Sequence, residues 1–200
     1  LIPVEDPTRY GVVPTDQNGR VLGFIEKPAA GESPTNWINA GTYVLEPSVL
    51  EQIPSNQRVS VEKETFPALA AKSQLFAFQS ETYWIDTGTP ATYLQAQMDL
   101  LDGGVRGNSH SGVDPTSLIN GEVTESVVGA DVVIEKGSRI EKSVILKGAK
   151  IEKGVTISNS IIGFESHVGE NATIRSFSVV GHRVKIPKRA ELTGITMAES

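Results

Sequence analysis

The run Ser143-Val144-Ile145-Leu146-Lys147-Gly148-Ala149-Lys150-Ile151-Glu152-Lys153-Gly154-Val155-Thr156-Ile157-Ser158 decides the fold. Within it Ile145, Ile151 and Ile157 stand six residues apart, a spacing that fits neither the helical period nor the plain alternation of an open sheet. The beat extends upstream through Val128, Ile134 and Ile140, and downstream through Ile162, Val168, Ile174, Val180, Ile186 and Leu192, in steps of six with two fives. A slower echo overlies it: Ser126-Val127-Val128-Gly129, Ser143-Val144-Ile145-Leu146, Ser160-Ile161-Ile162-Gly163 and Ser178-Val179-Val180-Gly181 recur after 17, 17 and 18 residues. Three hexads therefore make one turn. This predicts short strands joined by corners around a triangular prism, a parallel β-helix. Such a solenoid seldom carries chemistry alone, so the first half of the chain has to be read for it.

At 200 residues the chain has room for two modest domains, and the pattern changes near Asp102. We read residues 1–102 as one domain, 103–112 as a linker and 113–200 as the solenoid. The formal charge of −6 is spread among interspersed acids and bases, and the Lys-dense stretch from Lys142 to Lys153 alternates with apolar residues as solvated solenoid corners do, so no nucleic-acid partner is expected. The chain has no cysteine, which excludes disulfides, zinc–thiolate sites and a cysteine nucleophile. No apolar run approaches the roughly 20 residues that span a bilayer. Residues 1–9 have neither the basic start nor the apolar core of a signal peptide, so no membrane partner is expected and the cytoplasm is the default compartment.

In the first half, Tyr10-Gly11-Val12-Val13 and Val21-Leu22-Gly23-Phe24-Ile25 flank a turn-rich stretch and predict a hairpin. Glu26-Lys27-Pro28 ends its second strand, and Pro28 predicts extended geometry for Lys27. After a Gly/Ser/Pro-rich loop come Trp37-Ile38-Asn39-Ala40-Gly41 and a predicted strand over Thr42-Tyr43-Val44-Leu45. Ser60 is placed to cap a helix with Glu62 and Glu64 in its first turn, which reads as structural. Leu75-Phe76-Ala77-Phe78 predicts another strand. In Tyr83-Trp84-Ile85-Asp86-Thr87-Gly88-Thr89-Pro90, Thr89 caps and Pro90 starts a helix running to about Leu101, stopped by Gly103-Gly104. Asp86 is expected at a strand end, where a carboxylate either bonds nearby backbone amides or offers a ligand to Mg²⁺.

Taken in order, Tyr10-Gly11-Val12-Val13, Phe24-Ile25-Glu26-Lys27-Pro28, Asn39-Ala40-Gly41-Thr42-Tyr43, Ser60-Val61-Glu62-Lys63-Glu64-Thr65-Phe66-Pro67 and Trp84-Ile85-Asp86-Thr87-Gly88-Thr89-Pro90, followed by a hexapeptide solenoid, resemble the sugar-nucleotide pyrophosphorylases. Within them the pattern is most similar to the branch that guanylylates mannose-1-phosphate. The resemblance implies the C-terminal part of a Rossmann-like α/β nucleotidyltransferase domain followed by a left-handed parallel β-helix, the handedness resting on the resemblance alone. It implies transfer of a nucleotidyl group from a nucleoside triphosphate, here GTP, to a sugar-1-phosphate with Mg²⁺ as cofactor and release of pyrophosphate. Gly11 would line the sugar pocket, Glu26 would accept from sugar hydroxyls, Lys27 would contact the sugar phosphate, Asn39 would bond the sugar through both amide ends, Gly41 would leave room for the ring, and Asp86 would be one of two Mg²⁺ carboxylates. The catalytic assignments are Lys27 and Asp86. The family's Gly-rich phosphate loop, base-recognising segment and first metal-binding Asp would lie upstream of Leu1, and the isolated chain is expected to be inactive.

The same resemblance admits a glucose-1-phosphate thymidylyl- or uridylyltransferase, or a non-catalytic regulatory or assembly subunit. A hexapeptide acyltransferase would draw a histidine from the solenoid, but His167 and His182 fall at polar repeat positions that solvation explains, and no long loop interrupts the repeats. His110 reads as a polar linker residue. The stackable solenoid predicts a homo-oligomer.

Overall fold

The computed structural model describes residues 1–103 and 112–198. They form two compact units, Leu1–Trp84 and Ile85–Ser200. Most of the linker predicted at 103–112, including His110, lies outside the described residues.

Residues 112–198 of the second unit form a left-handed parallel β-helix of about five turns. Its strands form three five-stranded parallel sheets, one per prism face. One face stacks Val127–Val128, Val144–Ile145, Ile161–Ile162, Val179–Val180 and Thr196–Met197. The second stacks Leu118–Ile119, Val133–Ile134, Lys150–Ile151, His167–Val168 and Lys185–Ile186. The third stacks Glu122–Thr124, Arg139–Glu141, Thr156–Ser158, Thr173–Arg175 and Glu191–Thr193. The register pairs Val128 with Ile145, Ile145 with Ile162 and Ile162 with Val180, so the sequence echo is the ladder itself. The hexad aliphatics from Val128 to Ile186 point inward and are buried together with Val132, Ala149, Val155, Ala172 and Val184. Each buried isoleucine contributes on the order of 1.5–3 kcal/mol.

The corners explain the serines. Ser126, Ser143, Ser160 and Ser178 are buried, and a buried hydroxyl has to find partners. Ser143 Oγ donates to the Glu141 carbonyl at 2.6 Å and accepts from the Ser160 N–H at 3.2 Å, and Ser126 repeats the arrangement one turn earlier. Each corner also needs a backbone in the left-handed region: Glu125, Lys142 and Asn159 supply it with φ of 44, 46 and 44°. In the 18-residue turn two consecutive residues do so, Ser176 and Phe177, both at φ 61°.

The second unit begins at Ile85 and carries, ahead of the solenoid, Asp86 and the helix Pro90–Leu101, α3 in chain order after the two short helices given below. Thr89 Oγ1 accepts from the Thr92 N–H and Thr92 Oγ1 from the Thr89 N–H, a reciprocal cap. Gly103 follows with φ 73°, where glycine ends a helix at least cost.

The first unit carries a four-stranded antiparallel sheet in the order β1 (Ile2–Pro3), β4 (Trp37–Ile38), β2 (Gly11–Val12), β3 (Ile25–Glu26). The predicted hairpin is β2–β3, pairing Gly11 with Glu26 and Val12 with Ile25. The short helices α1 (Pro47–Leu50) and α2 (Phe66–Ala71) bury Val49, Phe66 and Leu69 in a second core.

Three sequence expectations give way here. Thr42–Leu45 is not a strand: it has no ladder partner among the described residues, Val44 is 99% exposed, and the Tyr43 ring packs on Phe66 with centroids 4.7 Å apart. Leu75–Phe78 contributes only a bridge between Phe76 and Arg20. Asp86 follows irregular backbone and not a strand. In each case β-propensity was present without the neighbouring strand that realises it.

Candidate functional site

A cavity of about 320 Å³ in the first unit is lined by Gly11, Phe24, Glu26, Asn39, Glu62, Lys63 and Pro67. It collects residues from β2, β3, the end of β4 and the segment leading into α2. The strand register does the collecting. Gly11 and Glu26 face each other across β2–β3, and the Asn39 N–H extends the ladder to the Gly11 carbonyl at 2.8 Å. A Cβ on Gly11 would lie 3.2 Å from Glu26 Oε2 and 4.0 Å from Asn39 Cβ, so glycine there leaves the carboxylate its space.

Lys27 departs from expectation. Its backbone is left-handed, φ 48°, and not the extended form that Pro28 favours. Its N–H still closes the β2–β3 ladder on the Tyr10 carbonyl at 3.1 Å, and the chain turns away immediately afterwards. A non-glycine residue in this region carries strain of order 1 kcal/mol. The ammonium stands 3.8 Å from Glu26 Oε1, both side chains well exposed. Lys27 adjoins the cavity through Glu26 and is not one of its lining residues.

Asn39 is fully engaged on its donor side. Nδ2 donates to Glu62 Oε1 at 2.6 Å and to the Tyr43 hydroxyl at 2.7 Å, while Oδ1 accepts from the Gly41 N–H at 3.1 Å. The last bond requires the tight turn at Gly41, whose φ is 74°. A Cβ at Gly41 would meet nothing within 4 Å, so conformation and not crowding calls for glycine there in this structure.

Glu62 and Lys63 belong to the pocket although the sequence presents them as ordinary residues of a helix start. Val61–Thr65 forms a single wide π-type turn, with the Phe66 N–H reaching back to the Val61 carbonyl. Ser60 Oγ accepts from the Lys63 N–H at 3.3 Å and Glu64 Oε1 from the Ser60 N–H at 3.1 Å, which anchors the turn. Such wide turns are frequent at functional sites, and the sequence signal for this one is the Ser60–Pro67 motif, whose acids otherwise read as a structural helix start.

Asp86 lies in the second unit and is exposed. Its Oδ1 accepts from the Gly88 N–H at 3.0 Å, the local amide bonding that the sequence offered as one option. Among the described residues no group of three or more potential metal ligands occurs.

Residues 1–103 match the family model described as nucleotidyl transferase, and residues 102–198 match the one described as the GMPPB C-terminal domain. The chain belongs to the nucleotidyl transferase family. Within this nucleotidyl transferase family it is 36% identical to a mannose-1-phosphate guanylyltransferase catalytic subunit beta of Dictyostelium discoideum, over 96% of this chain and 56% of that protein. It is 39% identical to a mannose-1-phosphate guanylyltransferase of Mycobacterium tuberculosis over 72% of this chain and 43% of the relative, and 34% identical to mannose-1-phosphate guanylyltransferase 1 of Arabidopsis thaliana over 92% and 54%. The chain thus spans about half the length of the relatives it matches. Among the described residues no helix is long and apolar enough to cross a membrane.

Proposed function

We propose that the cavity of Gly11, Glu26, Asn39 and Glu62 binds the sugar of a sugar-1-phosphate, mannose-1-phosphate above all, and that this chain serves its guanylylation by GTP to GDP-mannose. The observation that carries the reading is convergence: three residues named by separate sequence motifs, Gly11, Glu26 and Asn39, line one cavity. Its chemistry suits the ligand. The Glu26 and Glu62 carboxylates accept from sugar hydroxyls, and Gly11 lets the ring approach the backbone. Lys27 and Lys63 offer the two ammonium groups suited to the sugar phosphate.

In the reaction an oxygen of the sugar phosphate forms a bond to the α-phosphorus of GTP, and pyrophosphate leaves with the electrons of the broken P–O bond. The contribution of this chain is to hold the sugar phosphate in place for that attack and to supply positive charge near it. Asp86, an exposed carboxylate, would be one of two carboxylates holding Mg²⁺, a hard ion suited to oxygen ligands. When bound, Mg²⁺ offsets negative charge on the reacting phosphates. The solenoid, with its open ends, serves self-association; sedimentation as a monomer at every concentration would count against that part.

Isothermal titration of the chain with mannose-1-phosphate tests the sugar-site reading. Saturable binding, stronger than to glucose-1-phosphate and lost in Glu26→Ala, is expected. Absence of binding at millimolar ligand would overturn it.

A further inference from the structure

We propose that Tyr43 is a positioning residue of the sugar pocket, acting through a closed ring of hydrogen bonds that it forms with Asn39 and Glu62. The proposal rests on the cavity being the sugar-1-phosphate site. The ring has three members. Asn39 Nδ2 donates to the Tyr43 hydroxyl at 2.7 Å, the hydroxyl donates to Glu62 Oε1 at 3.0 Å, and the second Nδ2 hydrogen reaches the same Oε1 at 2.6 Å. One carboxylate oxygen therefore receives two donors, and its rotation is fixed from two directions.

Neither partner alone could do this. Glu62 sits on the wide turn before α2, 23 residues along the chain from Asn39, and a half-exposed carboxylate on such a turn would sample several rotamers. Tyr43 supplies the missing reference point because its ring is itself anchored: it packs on Phe66, which is 1% exposed, and Phe66 also carries Phe24 of the cavity wall, with ring centroids 5.6 Å apart. The anchor thus links the wall and the carboxylate to one buried side chain. Burial, and less strongly the neighbouring Glu62 charge, push the Tyr43 phenol above its ordinary range while the Asn39 bond opposes them. The hydroxyl accordingly keeps its proton and remains a donor at neutral pH.

This accounts for a tyrosine in a segment that forms no strand. Its backbone has no ladder to join, and its hydroxyl has a defined task. Tyr43 is not among the residues lining the 320 Å³ cavity, and its hydroxyl reaches that lining through Glu62 and Asn39.

Tyr43→Phe is the test, since it keeps the ring on Phe66 and removes only the oxygen. Titration with mannose-1-phosphate should give about tenfold weaker binding, the scale of one lost hydrogen bond to a charged group, with an unchanged melting temperature. In a Glu62→Ala background the same change should have no further effect, and the Asn39 side-chain amide resonances of Tyr43→Phe should shift in ¹⁵N spectra without ligand. Wild-type affinity in Tyr43→Phe, effects that simply add in the double variant, or unmoved Asn39 resonances would each overturn the role of Tyr43 while leaving the sugar site standing. Failure of the wild-type chain to bind the sugar phosphate would instead remove the site, and this inference with it.

Discussion

Gly11 stands opposite Glu26 in antiparallel register, so close that a single added methyl group would come within 3.2 Å of the carboxylate oxygen Oε2. The obstacle it would meet is the far end of a flexible, exposed side chain and not backbone. Gly11→Ala is therefore expected to fold normally, with a melting temperature within about 2 °C of wild type, because the carboxylate can swing aside. What it loses is the position of that carboxylate. Calorimetric titration should show mannose-1-phosphate bound several-fold more weakly, and unchanged affinity would separate Glu26 from the pocket's function.

Gly163 gives the opposite result for a physical reason of the same kind. A Cβ there would lie 2.5 Å from both the carbonyl carbon and oxygen of Gly181 on the next turn. Backbone cannot swing aside, so Gly163→Ala has to push two turns apart or break their ladder. A loss of about 1–3 kcal/mol is expected, read as an earlier urea midpoint for the solenoid. A midpoint equal to that of Gly11→Ala would contradict the close stacking of these turns.

Ser143→Ala removes a hydroxyl that serves two backbone groups at once, the Glu141 carbonyl and the Ser160 N–H. The amide is left buried without its acceptor, a situation that costs about 1–3 kcal/mol. Hydrogen exchange should locate the damage, with the Ser160 amide losing protection before those of the neighbouring turns. Uniform loss across the solenoid would mean that the serine column acts globally.

Acid should weaken the solenoid through Glu152. Its carboxylate accepts from the Glu170 N–H at 2.8 Å and meets His167 Nε2 at 2.8 Å, and these two bonds, the backbone one first, hold its pKa below the ordinary carboxylate value. A depressed carboxylate stabilises the fold fully above the pH at which the unfolded group titrates. The contribution fades as pH falls through the lower folded value. Comparing thermal melts of wild type and Glu152→Gln across that acidic window should show a gap that is constant toward neutrality and closes as pH drops. A gap independent of pH would assign the stabilisation to packing.

The two halves of the chain differ in how much of them can be read. Along the solenoid every turn repeats one requirement, an aliphatic residue at each inward position, so Ile145, Ile151 and Ile157 announce both the period and the core. The corners are less legible. Glu125 and Lys142 occupy left-handed backbone that composition alone would assign to glycine or asparagine, because the stacked turns impose it. In the first unit the motifs pointed to Gly11, Glu26 and Asn39, since each sits where a ladder ends. Glu62 and Lys63 stayed hidden: acids in a helix's first turn are usual, and no periodicity encodes a single wide turn. Lys27 shows a local rule overridden, its φ set by the ladder bond to Tyr10 and not by Pro28.

The doubled left-handed corner at Ser176 and Phe177 adds a residue to one turn, yet Val180 still pairs with Ile162 and Arg175 with Thr193 as the neighbouring turns require. Ser178 compensates by reaching one residue further back, to the Arg175 carbonyl at 2.7 Å. Length can thus be inserted at a vertex without slipping any strand out of step. That vertex is where extra sequence could be grafted, because the prism measures its own circumference by its faces and leaves its edges free to grow.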